Sequence, residues 1–297
     1  MNLRAYLIER ARWIEEALST YVPALPQPAK QLEEAMRYSL FAGGKRLRPI
    51  LVLASTEAVG AAPERALPAA CALEFIHTYS LIHDDLPAMD DDDWRRGRLT
   101  NHKVFGEAQA ILAGDALLTE AFHILTVGRY PAEVSCRQIL TAIAEIAVAA
   151  GPEGMVGGQS ADIAAQGKTD GSRDTLTYIH THKTGALLRA SVRVGAILGG
   201  AQPADLDSLT VYGEKLGLAF QISDDILDAT GDPQILGKPV KNDAAKKKLT
   251  FVTLYGLDEA KSEAARLAYE AETALCHLGA GADPLRELAR FTVERDH

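Results

Sequence analysis

The sequence predicts an all-α protein in which helices along the whole chain build one large core. Of its 297 residues 47% are hydrophobic but only 6% aromatic, and alanine and leucine are abundant. Apolar residues recur at helical spacing, whereas the alternation expected of strands is weak. Because no repeat of fixed period and no low-complexity linker interrupts the chain, we expect a single domain over residues 1–297, although the length alone would allow two.

The helices of the N-terminal half follow from apolar spacing and from the residues that stop them. Leu3, Leu7, Ile14 and Leu18 recur on one face, and the proline-rich stretch 23–28 ends this first helix. Farther on, Pro63 restarts the chain before a long apolar run. The predicted helices are 1–20, 29–41, 51–60 and 67–86.

The helices of the C-terminal half are bounded by glycine, proline and polar turns. The segment from Leu99 begins with a polar turn and continues as a helix to Gly128, and Gly151-Pro152 ends the next helix. The predicted helical segments are 99–128, 131–150, 155–166, 175–198, 205–228, 251–279 and 284–294.

Charge and cysteine usage narrow the classes of partner and compartment. A net charge of −9 argues against nucleic acid or an anionic membrane surface as the main partner. Cys71, Cys136 and Cys276 show no metal-binding spacing, so we interpret them as buried thiols in a reducing compartment. Charged residues such as Arg4 and Glu9 interrupt the N-terminus, which argues against a signal peptide or membrane span. We therefore expect a cytoplasmic protein without integral membrane contact.

The stretch 77–97 sets six aspartates directly after an apolar helical run. Carboxylates this crowded repel one another, so a folded protein keeps them together only where solvent or cations offset the repulsion. Mg²⁺ is a natural counter-ion, because it binds carboxylate oxygens and completes its shell from waters and the phosphate oxygens of a substrate. A solvated acidic loop is the alternative. The aspartates are Asp84, Asp85, Asp90, Asp91, Asp92 and Asp93.

Pro87 decides which of these aspartates face one another. Asp84 and Asp90 are six residues apart, which an ideal helix places about 120° apart. Because Pro87 cannot donate a helical hydrogen bond, it should loosen or end the helix and let Asp90 turn back toward Asp84. Asp91 has the better spacing on an ideal helix and remains a competing ligand.

A second acidic cluster lies about 140 residues later, in the run FQISDDILD. Asp224 and Asp228 are four residues apart and share one helix face, with Asp225 between them. Two carboxylates on a mostly apolar helix are costly unless they line a wet cavity or hold a metal. A helix that simply ends at Asp228 is the alternative. The separation of the two clusters suits two helices that face each other across a bundle core.

Basic residues that suit an anionic ligand occur in two further places. The stretch 43–49 reads GGKRLRP, and glycines followed by basic residues at a helix start form a plausible anion site, with a glycine turn and solvated side chains as the alternative. The stretch 238–248 carries Lys238 and four more lysines. His77 lies seven residues before Asp84 on nearly the same helix face, and a core histidine is the alternative there.

The helix predicted over 175–198 is interrupted at 180–185, where the sequence HTHKTG places polar residues and a glycine. Glycine after Lys-Thr weakens the helical hydrogen bonds and can turn backbone carbonyls toward a cavity. Nearby, Gln159 and Asp162 are ambiguous, and Asp115 within an Ala/Leu run is a structural hydrogen-bond partner rather than a catalytic residue.

In this order and spacing, the motifs resemble the trans-isoprenyl diphosphate synthase family, in particular its bacterial farnesyl and geranylgeranyl diphosphate synthases. Each motif is weak alone, but the ordered set is specific, and it runs from about residue 30 to the C-terminus. The resemblance implies the isoprenoid synthase fold, with about a dozen helices around a deep central cavity, and a homodimer. The motifs are GGKRLRP, His77, DDxxxxD followed by RRG, Lys183-Thr184 and FQxxDDILD.

The resemblance also implies a role for each matching residue. Three Mg²⁺ ions, with Mn²⁺ as an alternative, would be bound by Asp84, Asp90 and Asp224, and these would be supported by Asp85, Asp225 and Asp228. The allylic diphosphate would be bound by Arg95, Lys183 and Lys238, and oxygens of Thr184, Gln221 and the Lys183 carbonyl would face the developing cation. Isopentenyl diphosphate would be bound by Lys45, Arg48, His77 and Arg96.

The activity that the resemblance implies is condensation of isopentenyl diphosphate with dimethylallyl or geranyl diphosphate to give farnesyl diphosphate. Product length should depend on the cavity floor before Asp84, where Tyr79 and Ser80 lie five and four residues upstream. A bulky Tyr79 favours the C15 product, although C20 synthases share this residue and ordinary packing is the alternative. A terpene cyclase would not need a second diphosphate pocket, and a non-catalytic subunit usually loses aspartates.

Two places depart from the family pattern. The loop after the second aspartate cluster usually carries Gly-Lys-Asp, whereas here 241–243 reads Lys-Asn-Asp, so the lysine that closes on the diphosphate is open. The C-terminal sequence ERDH is less basic than in some relatives, which leaves a contact by Arg295 open as well.

Overall fold

A computed structural model describes residues 1–166, 172–230 and 249–294. Most of the described residues are helical, which confirms the predicted all-α class. The first half comprises α1 (Leu3–Tyr21), α2 (Lys30–Leu40), α3 (Leu47–Ala58), a 3₁₀ turn (Pro63–Ala66), α4 (Leu67–Asp84), β1 (Trp94–Arg95), β2 (Arg98–Leu99), α5 (Asn101–Phe105) and α6 (Glu107–Val127).

The second half continues the bundle and contains one irregular helical segment, a π-helix over His180–Gly185. It comprises α7 (Cys136–Ala150), α8 (Met155–Ala165), α9 (Arg173–Ile179), the π-helix, α10 (Ala186–Gly199), α11 (Pro203–Thr230), α12 (Phe251–Tyr255), α13 (Leu257–Ala274), a 3₁₀ turn (Ala280–Ala282) and α14 (Asp283–Glu294).

Helices α3, α4, α10 and α11 pass through the middle of the molecule. Helix α10 packs against α3, α7 and α11, and α4 packs against α6 and α3. Side chains such as Leu53, Phe75 and Val194 are fully buried between them. Gly195 allows α3 and α10 to approach closely, because a Cβ at this position would lie 2.1 Å from the carbonyl oxygen of Val52. The interior is therefore closed by helix-on-helix packing, and the aspartate-bearing end of α4 is fixed relative to α11.

Several predicted boundaries were wrong, each for a local reason. The segment predicted as one helix over 251–279 is divided at Gly256, whose φ of +85° is outside the helical range. The helix predicted from Pro131 begins at Cys136, because Ser135 and Gln138 form a capping box. The helix predicted to reach Leu86 ends at Asp84, before Pro87.

The prediction that all three cysteines are buried was wrong for two of them. Cys71 is buried, whereas Cys136 and Cys276 are exposed. Cys136 is the first residue of α7, and Cys276 follows the end of α13, so both lie at helix ends rather than in the core.

A short antiparallel hairpin, unexpected from the weak strand signals, follows the first aspartate cluster. Trp94 pairs with Leu99 and Arg95 with Arg98. Arg96 and Gly97 form the turn, and both have positive φ, +53° and +72°, as two-residue hairpin turns of the primed type require. The hairpin holds Arg95 and Arg96 in defined positions next to the aspartates.

Two described segments, Glu107–Val127 and Cys136–Ala165, are apolar and long enough, by length and composition alone, to cross a membrane. In the structure the second segment is not one helix but two, α7 and α8, joined by the turn at 151–154. Helix α6 packs against α2, α4 and α5. Core helices of globular proteins meet the same criterion, so composition assigns no membrane span here.

Candidate active site

A cavity of about 620 Å³ lies between α4, α8, the π-helix and α11. It brings together side chains from each motif of the sequence, including Asp84 at the end of α4 and Asp224 on α11. The predicted site residues that line it are Arg48, His77, Tyr79, Ser80, Asp84, Arg95, Arg96, Lys183, Thr184 and Asp224. Those that do not line it are Lys45, Asp85, Asp90, Gln221, Asp225 and Asp228.

The chain turns back on itself directly after Asp84, as Pro87 predicts. The amide of Asp90 donates to the carbonyl oxygen of Asp84 at 2.9 Å, and the amide of Asp91 donates to that of Leu86 at 3.1 Å. Asp91 completes the turn with a positive φ of +52°. Asp90 therefore lies beside Asp84, although six residues separate the two in sequence.

Asp85 points away from the cavity and holds the hairpin. Its carboxylate is buried and accepts from Arg95 Nε at 2.8 and 2.9 Å and from Arg95 Nη2 at 2.6 Å. Burial raises the pKa of Asp85, and the hydrogen bonds from Arg95 oppose that shift. This paired contact orients the Arg95 guanidinium, which also borders the cavity.

Asp91, Asp93 and His102 form a second set of potential ligands beside the first cluster. One ligand atom from each lies within 4.8 Å of the others, with both aspartates exposed and His102 buried. Lys103 Nζ lies 2.7 Å from an Asp93 oxygen. This acidic group could hold a divalent cation, but it is distinct from the predicted ligands Asp84, Asp90 and Asp224.

On α11 the three aspartates have different surroundings. Asp224 lines the cavity, whereas Asp225 and Asp228 are buried. Asp225 accepts from the backbone amide of Phe251 at 2.7 Å, and His180 Nε2 lies 3.5 Å from it. Asp225 therefore ties the start of α12 and the π-helix to α11, which fits a supporting position rather than one that faces a ligand.

The π-helix presents Lys183 and Thr184 to the cavity. Lys183 Nζ donates to Asp162 at 2.6 Å, and the Thr184 hydroxyl donates to Gln221 Oε1 at 2.7 Å. The predicted break at 180–185 is thus a widened helical turn, held on one side by α8 and on the other by α11. Gly158 on α8 allows this approach, because a Cβ there would lie 2.1 Å from the backbone nitrogen of Lys183.

Gln159 and Asp162 are two polar residues whose roles sequence reasoning left ambiguous. Gln159 lines the cavity and donates to Asp84 Oδ1, and Asp162 is the partner of Lys183. Their three-residue spacing puts both on one face of the otherwise apolar helix α8. That polar face was the available signal, but it does not specify which groups the side chains meet.

Basic residues form one wall of the cavity. Desolvation deep in this wall lowers the pKa of Arg48 to about 10. The pKa of His77 lies well below its ordinary value, because burial and the positive charges of Arg48 and Arg96 disfavour the imidazolium. His77 is therefore neutral at physiological pH. Within the described chain, Arg48 Nε is buried without a hydrogen-bond partner, so this arginine retains donor capacity toward the cavity.

The glycines of the GGKRLRP motif accommodate the hairpin. The guanidinium of Arg96 donates to the carbonyl oxygen of Gly43 and lies directly against Gly44, where a Cβ would be 2.7 Å from it. Gly44 also has a positive φ of +131°. Lys45 is exposed next to this contact.

The turns of α4 that precede Asp84 line one end of the cavity, which we call its floor. Tyr79 is only 6% exposed, and burial raises its pKa to about 12. The Ser80 hydroxyl donates to the backbone carbonyl of His77 at 2.8 Å. His83, one residue before Asp84, also lines the cavity and was not singled out from the sequence. Lys238, Lys241 and Arg295 lie outside the described residues.

Comparisons with known proteins agree with this arrangement. The family model described as polyprenyl synthetase matches residues 29–275. The chain is 49% identical to a farnesyl diphosphate synthase of Geobacillus stearothermophilus, covering 100% of this chain and 99% of that protein. It is 45% identical to a geranylgeranyl diphosphate synthase of Cyanophora paradoxa, covering 100% and 97%.

Solved structures show the same likeness over the full chain. An FPP/GFPP synthase from Zymomonas mobilis aligns with a TM-score of 0.87 at 40% identity, covering 98% of this chain and 99% of the other. A geranylgeranyl pyrophosphate synthetase from Pyrococcus horikoshii aligns with a TM-score of 0.88 at 34% identity, covering 99% and 98%.

Proposed function

Since the chain belongs to the polyprenyl synthetase family, we propose that it is a prenyltransferase that condenses isopentenyl diphosphate with an allylic diphosphate. The allylic substrates are dimethylallyl and geranyl diphosphate, the product is farnesyl diphosphate, and diphosphate is released. The observation that carries the proposal is a single cavity that holds Asp84 and Asp224 on facing helices and a separate basic wall with Arg48, His77 and Arg96.

The acidic walls suit Mg²⁺, because carboxylate oxygens from two helices converge on one cavity and the ion prefers such ligands. Asp84, Asp90 and Asp224 would hold the ions, three in number by family likeness, with Mn²⁺ as an alternative. When bound, they would neutralise the diphosphate that leaves the allylic carbon. Buried Asp85 and Asp225, with their partners Arg95 and Phe251, would keep the neighbouring ligands in position.

Besides the metal ions, two basic side chains would bind the allylic diphosphate directly. Arg95 borders the cavity with its guanidinium already oriented by Asp85. Lys183 is held by Asp162 at 2.6 Å, so it would turn from this carboxylate to the diphosphate when the substrate enters. Both positive charges would stabilise the negative charge that develops as the C–O bond breaks, and Arg95 is already preorganised for this. Lys238, which lies outside the described residues, is proposed as the third group.

The isopentenyl diphosphate would occupy the basic wall. Arg48 and Arg96 supply positive charge there, neutral His77 supplies a hydrogen bond, and exposed Lys45 adds a further cation. This placement keeps the double bond of isopentenyl diphosphate next to the allylic carbon, because the two diphosphates are bound by different walls of one cavity.

Thr184 would shield the allylic cation, and Gln221 would position Thr184. The hydroxyl proton of Thr184 is used in the bond to Gln221 Oε1, so the oxygen lone pairs of Thr184 remain for the cavity. Gln221 does not line the cavity and would act by fixing that hydroxyl. The Lys183 carbonyl would add a further dipole, and the apolar walls would exclude water. The proton that leaves after attack would be taken by the released diphosphate.

Product length follows from the floor of the cavity. Buried Tyr79 on α4 is the bulky residue there, and it favours a C15 product over the C20 product of a geranylgeranyl diphosphate synthase, the second candidate. Ser80 would contribute less, since its side chain is much smaller than that of Tyr79. A terpene cyclase and a non-catalytic subunit are disfavoured by the basic wall and by the intact aspartates.

The test is product analysis with isopentenyl diphosphate and either allylic diphosphate, with and without Mg²⁺. We expect farnesyl diphosphate as the main product and loss of turnover after chelation, restored by added Mg²⁺. No elongation with Mg²⁺ present would overturn the proposal, and turnover that survives chelation would overturn the metal assignment. A C20 product as the main species would favour the second candidate.

We also propose that residues 1–297 form one domain, that the protein is cytoplasmic, and that it assembles as a homodimer. One core cluster includes residues from Ile14 to Ala289, which supports a single domain. Exposed apolar side chains on α6 and α7, among them Leu112 and Leu140, support a second copy as their cover rather than a membrane. Sedimentation equilibrium without detergent tests this, because a particle with the mass of one chain would exclude the dimer.

A further inference from the structure

The last turn of α4 packs on α6 through a contact between His83 and the backbone of α6. His83 Nε2 lies 3.0 Å from the carbonyl oxygen of Ile111 on α6. Since a carbonyl oxygen can only accept, Nε2 carries the proton and donates it. On the other side, the imidazole meets the ring of Tyr79 edge to face, with centroids 5.7 Å apart and an interplanar angle of 79°. His83 is thus held between the backbone of α6 and the aromatic ring of the cavity floor.

Gly114 makes this contact possible. A Cβ at Gly114 would lie 2.1 Å from Nε2, 2.5 Å from Cδ2 and 2.8 Å from Cε1 of His83, so the whole edge of the imidazole occupies the space of a missing side chain. The φ of Gly114 is not in the left-handed region, and the residue lies inside α6, where glycine costs about 1 kcal/mol relative to alanine. The glycine is therefore required for space and not for backbone conformation.

Tyr79 and His83 are one helical turn apart on α4, and both border the main cavity. A ring that α6 pushed away would move into the cavity, because that is the open volume which His83 borders. A smaller residue at 83 would instead leave Tyr79 without its edge contact and give the ring room to tilt toward α6. The distance from α6 to the cavity floor is consequently set by the pair His83 and Gly114.

From this geometry we propose that His83 and Gly114 are specificity-determining residues, which position Tyr79 and so limit the length of the prenyl product. The inference rests on the proposed prenyltransferase activity and extends it to two residues that do not bind diphosphate or metal. The two residues act in opposite directions, since extra volume at 114 raises the floor and lost volume at 83 lowers it.

The experiment measures product length and turnover of purified protein with dimethylallyl and isopentenyl diphosphates. Gly114→Ala should raise the ratio of C10 to C15 product about tenfold, the effect that one methyl group has in an apolar pocket. His83→Ala should raise the ratio of C20 to C15 product by a similar factor, as should Tyr79→Ala. Gly279→Ala is the matched control, because a Cβ there has no atom within 4 Å, and it should keep the product distribution of the parent.

The double variant His83→Ala/Gly114→Ala gives the sharpest result. Without the imidazole the three atoms nearest to the new methyl group are gone, so the double variant should produce the same distribution as His83→Ala alone. Independent effects of the two changes would overturn the proposed contact. If Gly114→Ala does not fold, His83→Ala still decides, since an unchanged product length in that variant overturns the proposal. Absence of elongation by the parent protein would instead refute the proposed function.

Discussion

Arg46 and Arg48 lie two positions apart in one basic motif but have opposite surroundings. Arg46 is 2% exposed and donates to Glu74 at 2.5 Å, to Glu15 at 2.7 Å and to the carbonyl oxygen of Leu40 at 2.7 Å. Its φ is +51°, in the left-handed region. Arg48, in the first turn of α3, borders the cavity. Arg46 is thus a structural residue, whereas Arg48 is available for a ligand.

Glu74→Gln should lower the free energy of unfolding by about 3 kcal/mol, because it leaves the buried guanidinium of Arg46 without its buried counter-charge. Urea denaturation followed by circular dichroism measures the change. Glu16→Gln is the matched control, since Glu16 pairs with Arg12 at the surface and such pairs contribute at most about 1 kcal/mol. Equal changes in the two variants would show that the Arg46–Glu74 pair does not stabilise the fold.

Among the elements, the π-helix over His180–Gly185 depends most on its neighbours. It is held by Asp162 and Gly158 on α8 and by Gln221 on α11. Gly217 on α11 also contributes, since a Cβ there would lie 3.0 Å from Gly185 Cα. The sequence HTHKTG indicates an irregular turn, but the direction of that turn is decided by how closely α8 and α11 approach.

Gly158→Ala should reduce kcat roughly a hundredfold, because a displacement of about 1 Å in a positioning group can cost that much. The methyl group would push the backbone of Lys183 away from α8. Helix propensity alone would make alanine more stable than glycine by about 1 kcal/mol. Propensity therefore acts on the thermal stability of the variant, whereas displacement of Lys183 acts on kcat.

Steady-state kinetics and thermal melting separate those effects, with Gly279→Ala as the control. Higher thermal stability with unchanged kcat would show that the close approach of α8 is not needed for activity.

At the scale of the whole molecule, exposed apolar side chains concentrate on neighbouring helices. Helix α6 exposes Ile111 and Leu112, and α7 exposes Leu140 and Val148. Such a surface is costly in water unless another protein surface covers it. A second copy of the chain is the proposed cover, and it would also brace α6, on which the contact of His83 depends.

Leu140→Lys should weaken the dimer at least about tenfold, because Leu140 is 66% exposed on this surface and the proposed interface would bury the new charge. Sedimentation equilibrium at several concentrations gives the dissociation constant. Tyr269→Lys is the control, since Tyr269 is 70% exposed on α13. An equal response of the two variants, or a monomeric parent, would exclude α6 and α7 as the interface.

The sequence predicted much of the site because the chemistry is concentrated in short motifs. Asp84, Asp224 and Lys183 lie in stretches that local patterns singled out, Arg48 was selected by the family resemblance, and the structure brings all four to one cavity. Pro87 even predicts the backbone turn that returns Asp90 to Asp84. Local patterns did not distinguish Arg46 from Arg48, since both are basic residues on the same short stretch. They also missed His83, whose role depends on a glycine on another helix.

By itself the sequence determined the helical class, most helix boundaries and the residues able to carry diphosphate chemistry, because periodicity, prolines and charged motifs act over a few residues. Only the tertiary structure decided which carboxylates face the cavity and which are buried, that Lys183 is held by Asp162, and that Gly114 leaves room for His83. Those outcomes depend on the distances between helices that are far apart in the chain. The packing of the whole core sets these distances, and no local sequence pattern contains them.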